Sequence, residues 1–113
     1  MAQTLLADLD RMFHALADPT RRAIIERLVR SPASVSELAR PFEMALPSLL
    51  QHLGVLEDAG IVQSTKLGRV RTYQLEVDAL SPAASWITQQ KPPAERRLDR
   101  LGAYLSRQAE RKK

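Results

Sequence analysis

With 113 residues, 44% of them hydrophobic, the chain has material for one globular domain spanning 1–113 and a real core, but not for a second domain. It contains no cysteine, which excludes thiolate metal sites, thiol redox switches and cysteine nucleophiles, and no apolar run approaches the ~20 residues that cross a bilayer. The formal net charge is +4: residues 1–60 carry six Lys/Arg against eight Asp/Glu (−2), whereas residues 61–113 carry eleven against five (+6), so the second half suits a polyanionic partner, although an anionic membrane or an acidic protein satisfies the same charge.

The first residues, Met1 to Asp8, lack the basic start and continuous apolar stretch of a secretion signal, so a soluble, cytoplasmic protein without a membrane partner is expected. Leu5, Leu6, Leu9, Met12, Phe13 and Leu16 then recur at spacings of three and four, one face of a helix. Asp18-Pro19 restarts the chain, because Asp is a good N-cap and Pro suits the first helical position. The second helix is expected to turn Ile24, Ile25, Leu28 and Val29 inward and to stop near Ser31-Pro32. Ser34-Val-Ser-Glu37 has the form of a capping box and opens a short third helix that Pro41 ends or closes from within its last turn. A turn through Phe42 to Met44 leads to a fourth helix with Pro47 in its first turn and Gly60 as its stop.

Beyond Gly60 the pattern becomes extended. Residues 61–65 and 70–75 are rich in β-formers and flank Leu67-Gly68-Arg69, a hairpin turn. Two more helical segments follow, about 80–90 and 94–108, separated by Lys91-Pro92-Pro93. Four helices, a two-stranded wing and closing helices give a mainly α protein with a small β-hairpin, in the order of a winged helix-turn-helix.

Placed on a helix at ~100° per residue, Leu46, Leu49, Leu50, Leu53 and Leu56 cluster on one side and are expected to face the core. Ser48 and Gln51 fall on the other side, with His52 at the boundary. The second helix of such a motif lies in the major groove, where Gln pairs bidentately with adenine and Ser reaches a base or a phosphate. Lys66, Arg69 and Arg71 surround the hairpin tip, where a wing lies along the backbone or enters the minor groove. Ser48, Gln51, His52, Lys66, Arg69 and Arg71 are therefore the candidate DNA-binding residues. Arg21 and Arg22, at a helix start, could reach phosphate or pair with Asp18 or Glu26. Trp86 offers an indole to pack the closing helix or to receive a small-molecule effector.

Several motifs in order resemble one family. The run 13–22, Phe-His-Ala-Leu-Ala-Asp-Pro-Thr-Arg-Arg, is similar to the helix-one-to-helix-two signature of the ArsR-type (arsenical repressor-like) winged-helix regulators. Residues 35–39, the Gln-His-Leu core of 49–56, Glu57 to Val62 and Gly68 to Tyr73 continue the resemblance, which covers about residues 5–78. It implies a repressor relieved by some signal, and a homodimer formed by the first helix and a last helix at about 94–108. Leu5, Leu9, Met12, Leu98, Leu101 and Leu105 are the candidate dimer contacts.

Departures from the family pattern matter. Where members commonly have Ser at the start of the recognition helix, and Ser and Arg or Lys further along it, this chain has Ala45, Leu50 and Gly54. No Lys or Arg lies between Arg40 and Lys66, so attraction to phosphate must come from outside that helix. The family's metal sensors use a Cys pair on the third helix or carboxylate and His ligands on the last. Here the third helix has no thiolate and the last two have no His, so neither a metal site nor a cofactor is expected, and the inducing signal is taken to be non-metal.

An enzyme is not expected, since there is no nucleophile elbow, no glycine-rich phosphate loop and no cysteine. The expectation is a sequence-specific, double-stranded-DNA-binding transcriptional regulator, a repressor by resemblance. The alternatives are a winged-helix protein-interaction module and a non-specific DNA-binding protein.

Overall fold

The structure, a computed structural model, describes residues 2–92, 94 and 100–105, with side chains from Asp8 onward. The chain forms two compact units, residues 1–82 and 83–113.

In the first unit, α1 (Ala2–Leu16) and α2 (Pro19–Arg30) are joined at Asp18, whose carboxylate accepts the Arg21 backbone N–H at 3.0 Å and caps α2. The strand β1 (Ala33–Ser34) runs straight into α3 (Val35–Ala39). Ser34 Oγ accepts the Glu37 backbone N–H at 3.2 Å, and Glu37 Oε1 accepts the Ser34 backbone N–H at 3.3 Å, so the predicted capping box forms with both halves. The helix α4 (Leu46–Asp58) starts with Pro47 in its first turn and ends before Gly60, whose φ of +75° suits a residue without Cβ.

Strands β2 (Val62–Leu67) and β3 (Val70–Leu75) pair antiparallel from Val62↔Leu75 to Leu67↔Val70, leaving Gly68-Arg69 as a two-residue turn. Gly68 has φ +63° and Arg69 does not share the positive φ, the arrangement of a type II′ turn with Gly first. The predicted wing has a third strand: β1 pairs with β3 through Ala33↔Tyr73 and Ser34↔Thr72, giving the order β1-β3-β2. Two residues are too few to show any alternation of polarity, so nothing local announces β1.

The core of this unit is built from Met12, Ile24, Ile25, Leu28, Leu38, Leu49, Leu53, Leu56, Ile61, Val62 and Tyr73. Three apolar residues expected inside are not. Leu46 and Leu50 are 52% and 42% exposed and Val29 is 69% exposed. The buried stripe of α4, Leu49-Leu53-Leu56, spans only about 60° of the helix, and Leu50 stands about 100° from Leu49. Val29 is likewise about 100° beyond Leu28 on α2. A thin domain buries a narrow arc of each helix, so an apolar neighbour one step outside the arc meets water.

In the second unit, α5 (Ser81–Gln89) runs on from the two residues before the boundary, close to the expected 80–90. Residue 94 and residues 100–105 are helical, within the expected 94–108 helix. Trp86, Ile87, Leu101, Tyr104 and Leu105 are exposed.

Two outcomes follow for stability. The backbone N–H of Arg21 lowers the pKa of Asp18, and the Ser34 backbone and hydroxyl lower that of Glu37. A carboxylate whose folded pKa is depressed lends stability that is complete above its ordinary range and is lost as pH falls through the lowered value. Urea midpoints should therefore drop as pH is taken down through and below the ordinary carboxylate range. The Asp18→Asn, Glu37→Gln double variant keeps capping side chains and should show a shallower acid limb; an unchanged slope would contradict the assignment. Separately, Gly54 lies inside α4, and a Cβ built there meets nothing within 4 Å. Gly54→Ala should raise stability by about 0.5–1 kcal/mol in denaturant titration.

Candidate nucleic-acid interface

The candidate interface is organised around a buried cation. Arg21 is 9% exposed, and its guanidinium donates from Nε to the Ala15 carbonyl at 2.8 Å and from Nη2 to the His14 carbonyl at 2.9 Å. Those carbonyls belong to the last turn of α1, where the helix dipole is negative; the His14 carbonyl also accepts the Ala17 N–H at 3.2 Å, and the guanidinium supplies a donor to Ala15. Arg22 does the same from outside, donating Nη1 to the Leu16 carbonyl at 2.8 Å. The two arginines that could have reached phosphate are thus committed to the end of α1. Their spacing from these carbonyls, six and seven residues across a helix break, carries no periodic signal.

The third contact of Arg21 reaches the recognition helix. Its Nη1 lies 3.1 Å from His52 Nδ1 on α4, and Asp18 Oδ2 lies 3.8 Å from the same nitrogen. His52, whose side chain is 24% exposed, is held at the edge of the outer face with one ring nitrogen turned inward. Ser48, one turn before it, and Gln51, beside it, are exposed. Ser48, Gln51 and His52 therefore make one small polar triangle on α4. The N-cap of that helix, Ala45, supplies no side-chain cap.

The wing gathers the cations. Lys66 and Arg71 are directly opposite each other in the β2–β3 register, and Arg69 occupies the turn beyond them; all three are exposed. Like charges facing each other across strands repel, and one of them is partly offset. Arg71 Nη1 donates to Ser64 Oγ at 2.8 Å, and Ser64 Oγ donates to Glu57 Oε1 at 2.7 Å. The wing is thereby strung to the last turn of α4 through Glu57. Behind this chain Tyr73 is buried, and burial pushes its hydroxyl pKa up, with the charge of Glu57 adding to the rise. The apolar pair Leu67↔Val70 flanks the turn and faces solvent.

Of the candidate dimer residues, Met12 is 5% exposed and belongs to the core of the protomer, and Leu9 is half-buried. Leu101 and Leu105 are exposed on the C-terminal helical segment. The side chain of Leu5, and Leu98 altogether, lie outside the described residues. Among the described residues no three His, Asp or Glu side chains come together as a metal site, and no helix is long and apolar enough to cross a membrane.

The sequence profile of a family described as "Helix-turn-helix domain" matches residues 16–65, the stretch from the end of α1 to the middle of β2. The chain is 47% identical over 72 residues to the HTH-type transcriptional regulator Rv2034 of Mycobacterium tuberculosis (strain H37Rv), covering 64% of this chain and 67% of that protein. It is 28% identical over 79 residues to the transcriptional repressor SdpR of Bacillus subtilis, covering 70% and 88% of the two. The crystal structure of an ArsR family transcriptional regulator superposes with a TM-score of 0.72 at 50% identity, over 74% of this chain and 87% of that one. With helix-turn-helix, three-stranded wing and sequence in agreement, the chain belongs to the ArsR family of winged helix-turn-helix, DNA-binding transcriptional regulators.

Proposed function

We propose that this regulator is a sequence-specific repressor, that it binds double-stranded DNA as a homodimer, and that a signal other than a metal ion releases it. The observation that carries the reading is the division of the interface: α4 presents the exposed, uncharged Ser48 and Gln51, while the nearby cations sit on the wing at Lys66, Arg69 and Arg71. Uncharged amides and hydroxyls select among base edges, whereas cations attract any phosphate. Repression is supported by the likeness to SdpR. Leu9, Leu101 and Leu105 support a dimer through the first and last helices. The non-metal signal rests on the cysteine-free sequence. A cavity of about 570 Å³ between α2 and α3, with Ile24, Leu38 and Phe42 among its apolar lining, has the size of a small-effector site. The exposed Leu46 and Leu50 on α4 favour a second reading, a winged-helix protein-interaction module.

Binding of the wild type to a duplex selected from a random pool, compared with a scrambled duplex across a salt series, separates these readings. Gln51→Ala should cost about 1–3 kcal/mol on the selected duplex and much less on the scrambled one. Arg69→Ala should weaken both and lower the salt slope by roughly one. Equal losses from Gln51→Ala on both duplexes would remove direct readout, and no salt-dependent binding to either would favour the interaction module. Light scattering should show a wild-type dimer and a Leu101→Glu monomer with weakened DNA binding.

A further inference from the structure

Arg21 can only donate: its guanidinium carries five N–H groups, has no acceptor and is not deprotonated in proteins. Two of its three nitrogens are fixed on the Ala15 and His14 carbonyls at 2.8 and 2.9 Å, so the group cannot swing away from its third neighbour. That neighbour is His52 Nδ1, 3.1 Å from Nη1. Two N–H donors cannot share such a contact, so Nδ1 offers its lone pair and a neutral ring carries its proton on Nε2. Asp18 Oδ2 would favour the opposite tautomer, but it stands 3.8 Å from Nδ1 and already accepts the Arg21 backbone N–H. Among the described residues no hydrogen bond reaches Nε2, and none of their buried side-chain nitrogens or oxygens lacks a partner, so Nε2–H meets solvent.

From this geometry we propose that Arg21 is a positioning residue that fixes His52 as the Nε2–H tautomer, so that the recognition helix presents a directed, uncharged N–H donor to an acceptor on DNA, either a purine N7 or a phosphate oxygen. The inference rests on the DNA-binding reading above and adds a third polar reader to Ser48 and Gln51. It gives a helix that has no Lys or Arg a directed polar donor in their place. A neutral donor releases no counterion, so its loss should lower affinity without changing the salt slope.

The test uses the full chain labelled with ¹⁵N in its histidine and arginine side chains, at a pH where the imidazole is neutral. His52 should show a protonated Nε2, an unprotonated Nδ1 and a through-hydrogen-bond ¹⁵N–¹⁵N coupling to Arg21 Nη1. Its Nε2 resonance should shift when the selected duplex is added. Arg21→Met should let the Nδ1–H tautomer appear where the variant folds; the wild-type coupling decides the point where it does not. His52→Asn retains an acceptor where Nδ1 stands and should keep the wild-type melting temperature. It should bind about tenfold more weakly, which is about 1.4 kcal/mol, with an unchanged salt slope. His52→Gln places an amide N–H where Nε2 stands and should bind close to wild type. Selective loss on the selected duplex identifies the acceptor as a purine N7, and equal loss on a scrambled duplex identifies it as phosphate. A wild-type Nδ1–H tautomer, an Nε2 resonance that ignores DNA, or His52→Asn binding as tightly as wild type would overturn the proposal. If Gln51→Ala still discriminates while His52→Asn is silent, this inference fails and the DNA-reading assignment stands; if the wild type binds neither duplex, the assignment itself fails.

Discussion

A charged side chain is almost never withdrawn from water unless its donors are met, and Arg21 satisfies that condition by binding three parts of the chain together. It closes the C-terminus of α1, begins α2 with its own backbone N–H on Asp18, and touches α4 at His52. Hydrophobic burial brings these helices together without fixing their rotation, because apolar contact is non-directional. Three directed hydrogen bonds from one planar group do fix it. Had a leucine stood there, the buried Ala15 carbonyl would lose its side-chain donor, at a cost of about 1–3 kcal/mol for an acceptor left unmet, while His14 would keep only the Ala17 N–H. The outer face of the recognition helix is therefore oriented from behind, by a residue that does not itself face outward.

In the proposed reading, this arrangement separates selectivity from attraction. The polar triangle of Ser48, Gln51 and His52 carries no lysine or arginine, and Glu57 and Asp58 lie at the far end of the same helix. The cations are held on the β-ribbon, with Lys66 opposite Arg71 and Arg69 beyond them. A ribbon that faces like charges across its strands is less stable than one that alternates them. Such local conflicts mark functional positions more often than structural ones. The link Arg71–Ser64–Glu57 moderates the repulsion and ties the wing to α4.

Much of the fold was legible because its signals are local. Asp18-Pro19, the Ser34/Glu37 capping box, Pro47, Gly60 and Gly68 each act within a few residues, and each formed as its chemistry required. What escaped depends on contacts distant in sequence. The strand β1 exists only because residues 33 and 34 meet residues 73 and 72. Arg21 becomes an interior residue only when α4 arrives, 31 residues later. The face of α4 was legible at Ser48 and Gln51 but misjudged at Leu46 and Leu50, because periodicity gives the direction of the buried stripe and not its width. Met12 was similarly placed at an outer seam, whereas the packing of α1 takes it into the core.

The short strand β1 also determines how the wing can respond to what it touches. By pairing with Thr72 and Tyr73 it makes the middle of the hairpin three strands wide, and it shares Ser34 with the cap of α3. Beyond Thr65↔Thr72 only two strands continue, from Lys66 to Arg71. Two-stranded ribbons twist over a wider range than broader sheets. The six residues beyond that three-stranded stretch form a two-stranded blade that carries all three wing cations. Because Arg71 in that blade is tied through Ser64 to Glu57, twisting it pulls on the last turn of α4, so the wing and the helix do not adjust independently of each other.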